Sequence, residues 1–195
     1  MSRNAIIIED SDIPRYALRT LLNEMKVKVL AECDRYADSV KAIIKYQPNL
    51  VILDHHLLDC KGVDIYKTTK NTVKETHFLY ATADGSLATM LDIIESGITN
   101  IVIKSYLLRI KNAIQSIVDG KTYMDHDVSK NILIYNNLIS KLSISEKNVI
   151  KLFLQKKKID EIAEITHLSD GTIKRKKANI ILKLGRNHFN RICCM

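Results

Sequence analysis

Short apolar runs alternate with amphipathic stretches through the first 121 residues of the chain. Five runs rich in β-branched residues predict strands: NAIIIED, KVKVLAE, NLVILD, HFLYAT and NIVIK. Between them, apolar side chains recur every three or four residues, which predicts helices that are buried along one face. Continuous apolar strands that alternate with such helices are typical of a parallel sheet covered on both faces. The pattern therefore predicts a doubly wound α/β domain with a five-stranded parallel sheet.

The last third of the chain has a helical pattern only. LSISEKNVIKLFLQK begins with Ser143 and Glu146 at the spacing of a capping box, which predicts the start of a helix. IDEIAEI predicts a second, shorter helix, followed by the turn THLS. Ser169 is a suitable N-cap, and Gly185 a suitable C-terminal residue, for a third helix, DGTIKRKKANIILKL. Two helices joined by a short turn predict a small all-α domain of the helix-turn-helix type.

Charge separates the same two regions. The chain carries a net charge of +8, and residues 122 to 195 hold 14 Lys and Arg against 7 Asp and Glu, whereas residues 1 to 121 hold 16 against 15. A basic module predicts a polyanionic partner, with nucleic acid the first candidate. KTYMDHDVSK is polar and has no clear period. We therefore predict domains at 1–121 and 140–195, joined by a linker at 122–139.

Composition narrows the class of protein. With 46% hydrophobic and 27% charged residues, the 195-residue chain can bury a core. It has no apolar run of the roughly 18 to 20 residues that a membrane span needs, and its N-terminal isoleucine run is too short for a signal peptide. A cytoplasmic protein that does not bind membranes is expected. Cys33, Cys60, Cys193 and Cys194 lack zinc-site spacing, which predicts thiols without a chemical role.

Polar residues follow four of the five predicted strands. Glu9 and Asp10 follow the first strand, Asp54 the third, Thr82 the fourth and Lys104 the fifth. In a parallel α/β sheet, ligands bind beyond the carboxyl ends of the strands, where these ends converge. One polar residue there usually only begins a loop. Five of them together predict a site.

The residue types of this group favour phosphoryl chemistry. Three neighbouring carboxylates raise each other's pKa unless a cation compensates, and Mg²⁺ suits such a site. Lys104 and Mg²⁺ would neutralise phosphoryl oxygens, while Thr82 could donate a hydrogen bond to another. Asp54 ends the predicted central strand and is the best candidate nucleophile, which would form an aspartyl-phosphate.

The motif Glu9-Asp10, Asp54, Thr82-Ala83 and Lys104, in this order, resembles the receiver domain of bacterial two-component response regulators over about residues 3 to 121. The resemblance implies a flavodoxin-like fold and phosphorylation of Asp54 by a sensor histidine kinase. It also implies that phosphoryl binding falls to Thr82 and Lys104. The implied Mg²⁺ ligands are Glu9, Asp10, Asp54 and the main-chain carbonyl of His56.

Three positions depart from the receiver pattern. Leu58 and Ser105 stand where the family commonly has proline, and Ile101 where it often has Tyr or Phe. These departures imply that activation is transmitted without an aromatic rotamer change. The imidazoles of His55 and His56 begin the loop after the third strand, and no metal role is expected for them.

Residues 140 to 190 resemble the LuxR-type DNA-binding domain of the NarL/FixJ response regulators. The matching residues are Leu142, Glu146, Val149, Glu161-Ile162-Ala163, Ser169, Thr172-Ile173-Lys174, Ile180 and Lys183-Leu184. Packing of the third helix by Ile173, Ile180 and Leu184 would direct its basic residues into a major groove. The predicted DNA-binding residues are Thr172, Lys174, Arg175, Lys176 and Lys177. Lys156, Ile159-Asp160 and Lys176 depart from the family's usual residues, which affects the DNA sequence bound more than the fold.

The sequence thus predicts a transcription factor, not an enzyme, that is phosphorylated on Asp54, binds promoter DNA and forms homodimers when phosphorylated. Three alternatives remain open. A regulator independent of phosphorylation would explain Leu58, Ile101 and Ser105. A phosphohydrolase with an aspartyl nucleophile is weaker, because His56 stands where such enzymes usually have a second acid. A receiver that acts only by binding proteins would leave the basic domain without a role.

Overall fold

The computed structural model describes residues 3–193, apart from the side chains of residues 191 and 192. Five strands alternate with five helices in the first part of the chain, and five further helices follow. The strands are β1 Asn4–Ile8, β2 Lys28–Cys33, β3 Leu50–Leu53, β4 His77–Thr82 and β5 Asn100–Ile103. The helices are α1 Asp12–Glu24, α2 Tyr36–Tyr46, α3 Gly62–Thr69, α4 Leu87–Glu95, α5 Leu107–Val118, α6 His126–Ile139, α7 Ile144–Leu154, α8 Ile159–Thr166, α9 Asp170–Leu184 and α10 Arg186–Cys193.

The five strands form one parallel sheet in the order β2-β1-β3-β4-β5. β3 lies at the centre and is buried along its whole length, as a strand covered on both faces should be. The order reverses between β1 and β3, so the cleft beyond the strand ends opens there. The predicted doubly wound five-stranded parallel sheet is confirmed.

The sheet is held by apolar side chains that α1 and α5 contribute to one of its faces. Ile7, Ile52, Leu79 and Val102, one from each of four strands, pack in the same buried cluster as Leu18, Leu22, Ile110 and Ile114. Each of these side chains is at most 3% exposed. Burying a side chain of this size stabilises a fold by about 1.5 to 3 kcal/mol. The cluster therefore fixes the strands whose ends carry the polar residues.

A second core is formed by α7 to α10. Ile150, Ile162, Ile173 and Ile180 are each fully buried in it. The capping box at the start of α7 forms as predicted: the Ser143 hydroxyl accepts from the Glu146 amide at 3.3 Å, and the Ser143 amide donates to the Glu146 carboxylate at 2.8 Å. The predicted helix-turn-helix is present as α8 and α9, and α10 is an addition that the sequence pattern did not predict.

The described chain divides into two compact units, residues 3–85 with 92–128 and residues 86–91 with 129–193, and the boundary after Val128 lies inside α6. Residues 122–139, predicted as a linker, are mostly helical, because α6 spans His126–Ile139. No helix among residues 3–193 is long and apolar enough to cross a membrane.

Burial raises the pKa of the Cys60 thiol to about 11. Cys194 lies outside the described residues.

Candidate functional site

A cavity of about 720 Å³ opens beyond the carboxyl ends of the strands. The structure brings all of the polar strand-end residues to its wall: Glu9, Asp10, Asp54, Thr82 and Lys104, together with His56. Glu9 and Thr82 are each 1% exposed and Asp54 is 8% exposed. The strand ends thus form a concave polar site in which Glu9, Asp54 and Thr82 are buried.

The residues of the cavity wall are fixed by hydrogen bonds that continue the sheet beyond its strands. The Asp54 amide donates to the Ile8 carbonyl at 2.9 Å, and the Glu9 amide donates to the Cys33 carbonyl at 3.0 Å. On the other side, the Lys104 amide donates to the Thr82 carbonyl at 2.8 Å. The backbone of Glu9, Asp54 and Lys104 is therefore anchored to the sheet.

The Lys104 ammonium lies between two of the three carboxylates. Its Nζ is 2.5 Å from Glu9 Oε2 and 3.0 Å from Asp54 Oδ1. The lysine side chain is only 10% exposed, so the ion pairs are shielded from water. A buried lysine needs such partners, because an unpaired charge in the protein interior is costly. Lys104 is thus the compensating positive charge of the acid cluster.

Burial opposes the ionisation of the two acids. It raises the pKa of Glu9 and of Asp54, and the nearby Lys104 ammonium only partly offsets this effect. Glu9, Asp10 and Asp54 each offer one carboxylate oxygen, and these oxygens lie within 4.8 Å of one another. Hard oxygen ligands of this kind suit Mg²⁺ or Ca²⁺. The cluster therefore has the composition of a site for a divalent cation.

Arg15 supports the acid pair from α1, which the sequence pattern did not indicate. Its Nη1 donates to the main-chain carbonyl of Glu9 at 2.8 Å, and its Nη2 pairs with Asp12. The Glu9 carboxylate also accepts a hydrogen bond from the Ser11 amide at 3.2 Å. An arginine at the second turn of a helix looks like an ordinary surface residue in sequence. Only the fold shows that it holds the loop carrying Glu9 and Asp10.

A buried polar pair lies behind Asp54. His55 Nδ1 and the Tyr80 hydroxyl share a hydrogen bond of 3.0 Å, and both residues are at most 2% exposed. Burial lowers the pKa of His55 to about 4, so its imidazole is neutral at physiological pH. Gly62, the first residue of α3, packs against the same group, and its amide donates to the His55 carbonyl at 2.9 Å.

The other loop residues that the sequence analysis singled out occupy different environments. The His56 imidazole is 66% exposed, and its Nε2 is 3.8 Å from Asp84 Oδ2. Thr82 Oγ1 accepts a hydrogen bond from the Asp84 amide at 3.0 Å. Ile101 is fully buried, Leu58 is 57% exposed, and Ser105 lines the cavity.

The five residues predicted to bind DNA do not share one environment. Lys174 and Arg175 are exposed on α9. Thr172 lies in the first turn, where its amide donates to the Ser169 hydroxyl at 3.2 Å. Lys176 instead hydrogen-bonds Ser145 of α7.

Lys177 is engaged within its own unit. Its Nζ lies 5.1 Å from the ring centroid of Phe153 and 5.7 Å from that of Phe189, within the range of a cation–π interaction. The run KRKK is thus divided by helical periodicity: two of its residues point outward and two contact other helices.

Asn179 is an exposed polar residue of α9 that the sequence analysis missed. It follows Arg175 by four positions, so the two side chains are neighbours on one helix face. Ala178 and Leu182, also exposed, complete this outer surface. The Asn179 side chain carries no charge, so a basic run does not indicate it. An exposed asparagine can hydrogen-bond adenine in a major groove.

The chain matches known proteins along most of its length. The model of the response regulator receiver domain matches residues 5–115. BvgA of Bordetella pertussis, whose name describes a positive transcription regulator of virulence factors, is 26% identical over 191 residues that cover 94% of this chain and 91% of BvgA. EvgA of Escherichia coli K12, a DNA-binding transcriptional activator, is 23% identical over 194 residues that cover 93% of this chain and 91% of EvgA. The structure of RcsB from Salmonella enterica serovar Typhimurium, bound to the promoter rprA with the phosphomimetic BeF3⁻, has a TM-score of 0.72 at 22% identity, over 98% of this chain and 96% of that chain.

We predict that Gly62→Ala strongly destabilises the protein. A Cβ at this position would lie 2.0 Å from the Asp54 carbonyl oxygen and 2.8 Å from the Tyr80 hydroxyl, and the carbonyl belongs to the rigid strand end. The free energy of unfolding in urea should fall by about 3 kcal/mol. Gly85→Ala is the matched control, because its Cβ would meet only Ile103 Cδ1 at 3.7 Å. Equal stability of the two variants would contradict the prediction.

Proposed function

Because this chain belongs to the response regulator receiver domain family, we propose that it is a two-component transcription regulator that is phosphorylated on Asp54 and binds promoter DNA through α8 and α9. The observation that carries the proposal is the position of the Lys104 ammonium, 2.5 Å from Glu9 and 3.0 Å from Asp54 at the mouth of the strand ends. A receiver needs this arrangement of an acid nucleophile beside a positive charge.

The phosphorylation step is a transfer to a carboxylate oxygen of Asp54. This oxygen forms a bond to the phosphorus atom, and the bond between phosphorus and the imidazole nitrogen of the kinase's phosphohistidine breaks. The electron pair of that bond returns to the imidazole, which takes up a proton. Lys104 then exchanges a carboxylate partner for a phosphoryl oxygen, and the Thr82 hydroxyl donates to another oxygen. A sensor histidine kinase is the corresponding partner.

Mg²⁺ is the cofactor that the acid cluster fits. Glu9, Asp10 and Asp54 would hold it, together with the main-chain carbonyl of His56, and their carboxylate oxygens lie within 4.8 Å of one another. When bound, Mg²⁺ neutralises charge that develops on the transferred phosphoryl group.

The second unit supplies the DNA contacts. Arg175 and Lys174 are exposed in the first half of α9, the part of a recognition helix that contacts base edges. The other three predicted residues would contact DNA phosphates or hold α9 in place: Thr172, Lys176 and Lys177. We expect phosphorylation to favour a homodimer that binds paired half-sites. Catalytic turnover of phosphomonoesters is not expected, because His56 stands where an acid would be needed.

We predict that acetyl phosphate with Mg²⁺ labels the protein on Asp54. The product should be an acyl phosphate that is stable to acid and labile to alkali, and labelling should be lost in Asp54→Asn and after chelation. Mass spectrometry after borohydride reduction would locate the modified residue. Asp64→Asn is a control, since that carboxylate lies at the start of α3 outside the cavity wall. Undiminished labelling of Asp54→Asn would reject the assignment.

We predict that stabilisation by Mg²⁺ grows as the pH rises. Because burial raises the pKa of Glu9 and Asp54, these groups bind protons more tightly in the fold than in the unfolded chain. Their contribution to stability therefore decreases as the pH rises from the ordinary carboxyl range through the raised pKa values. A divalent cation needs the ionised carboxylates, so the increase in Tm with Mg²⁺ should be small near pH 4 and reach a plateau above the raised pKa values.

Lys104→Ala provides the control for the Mg²⁺ prediction. The variant lacks the ammonium that bonds Glu9 and Asp54, so Mg²⁺ should bind about tenfold more tightly, the factor that about 1.4 kcal/mol produces. A Tm increase with Mg²⁺ that is independent of pH, and unchanged in Lys104→Ala, would place the cation elsewhere.

We predict that Arg175→Ala reduces the preference for a specific promoter over random duplex. A bidentate contact of arginine with guanine contributes about 1 to 3 kcal/mol of discrimination. Both affinities would be measured at one salt concentration, with a promoter found by genome-wide mapping of bound DNA. Lys177→Ala is the matched control: its ammonium packs on Phe153 and Phe189, so it should affect stability more than discrimination. Equal losses on both duplexes would show that Arg175 contacts only phosphate.

A further inference from the structure

The outer edge of β5 is covered by a segment that follows α5. β5 is the last strand of the sheet, so its outer backbone groups would lack strand partners. The Ile101 amide donates to the Tyr123 carbonyl at 2.9 Å, and the Asp125 amide donates to the Ile101 carbonyl at 3.1 Å. These bonds form a parallel bridge between Ile101 and Met124. We call Tyr123–Asp125 the edge segment.

The Asp125 side chain completes this edge. Its carboxylate accepts a hydrogen bond from the Ile103 amide at 2.6 Å and one from the Tyr123 hydroxyl at 3.1 Å. Arg109 Nη1 lies 3.7 Å away. Asp125 is 3% exposed. A buried carboxylate that bonds the backbone is a strong and directional contact, because charge-assisted hydrogen bonds exceed neutral ones in strength.

The position of this contact in the chain connects two functional parts. Ile103 directly precedes Lys104, and Asp125 directly precedes His126, the first residue of α6. The chain of α6 continues into the unit that contains α7 to α10. One side chain therefore joins the strand end that carries Lys104 to the start of the helix that leads into the second unit.

We propose that Asp125 is a positioning residue that transmits the structural change caused by phosphorylation from Lys104 to the start of α6. The inference rests on the proposed phosphorylation of Asp54. Lys104 bonds Glu9 and Asp54 in the present structure, and it must rearrange when a phosphoryl group is attached to Asp54. A displacement of the β5 end then changes the hydrogen bond between the Ile103 amide and Asp125, which shifts the edge segment.

This route does not need an aromatic side chain in β5. Ile101 stands at the position where receivers often have Tyr or Phe, and it is fully buried. An isoleucine side chain has no aromatic ring that could change rotamer when the Thr82 hydroxyl binds a phosphoryl group. The backbone of the same residue, however, makes two hydrogen bonds with the edge segment. The main chain of Ile101 and the side chain of Asp125 can thus transmit the effect of phosphorylation that a rotating ring would otherwise transmit.

Asp127 distinguishes coupling from simple support of the helix start. Its carboxylate lies 3.5 Å from the same Arg109 Nη1, but its side chain is 66% exposed, and it pairs with Arg109 and not with β5. Asp127→Ala therefore removes a charge from the same helix start and leaves the β5 contact intact. Asp125→Asn is the conservative variant, because its amide oxygen can still accept from the Ile103 amide.

The experiment measures the affinity of the full chain for promoter duplex before and after treatment with acetyl phosphate and Mg²⁺, with the labelled fraction determined in each sample. Phosphorylation should raise the affinity of the wild type and Asp127→Ala by about 5- to 150-fold, the usual range of allosteric coupling, and that of Asp125→Ala by less than about threefold. Asp125→Asn should retain most of the wild-type increase. An unchanged increase in Asp125→Ala would overturn the inference, and so would an equal loss in Asp127→Ala.

Hydrogen exchange of the wild type provides a test that does not depend on a variant. Phosphorylation should alter the exchange of peptides that contain the Ile101, Ile103 and Asp125 amides, and unaltered exchange there would also overturn the inference. Failure of labelling at Asp54 in the wild type is a different result, because it would reject the proposed function itself. Labelled protein without coupling through Asp125 would reject only the present inference.

Discussion

The ion pairs of Lys104 with Glu9 and Asp54 are the interaction on which the candidate site depends. The parallel sheet brings three carboxylates to one edge, and their repulsion in a buried place must be offset by a cation. β5 is separated from β3 by β4 and from β1 by two strands. Neighbouring strands are about 4.8 Å apart, so a residue at the end of β5 must reach roughly 10 Å to meet Asp54. A long, flexible lysine can do so, whereas a short polar side chain could not.

The rigid surroundings of this pair restrict how it can rearrange. The backbone of Asp54 is bonded to β1, and Gly62 packs against its carbonyl. The buried side chains of His55 and Tyr80, joined by a hydrogen bond, lie behind Asp54. Movement is therefore easier on the side of Lys104, at the edge of the sheet, than on the side of Asp54 at its centre. A site with one fixed acid and one mobile cation can respond to a change in charge without disturbing the core.

The strand-end residues could be predicted from the sequence because topology alone brings parallel strand ends together. The five-stranded sheet and the helix-turn-helix could be predicted from hydrophobic periodicity, because apolar positions recur at the spacing of each buried face. Contacts made by long side chains across elements leave no such pattern, and neither Arg15 at the Glu9 carbonyl nor Asp125 at the Ile103 amide could be found in this way. α6 was missed because it begins among the polar residues of KTYMDHDVSK, which were interpreted as a linker. The DNA-binding residues and the domain boundaries stay predictions.

The basic run of α9 shows why composition indicates a partner but not a binding mode. Net charge attracts nucleic acid through every lysine and arginine in a similar way, regardless of the direction of each side chain. Helical geometry then separates the run: Lys176 and Lys177 contact Ser145, Phe153 and Phe189, while Lys174 and Arg175 remain exposed. The contacts of Lys176 and Lys177 orient α9 on its neighbours, while Lys174, Arg175 and Asn179 lie exposed on its outer side. Under the proposed function, we therefore expect affinity and sequence preference to depend on different residues of the same short segment.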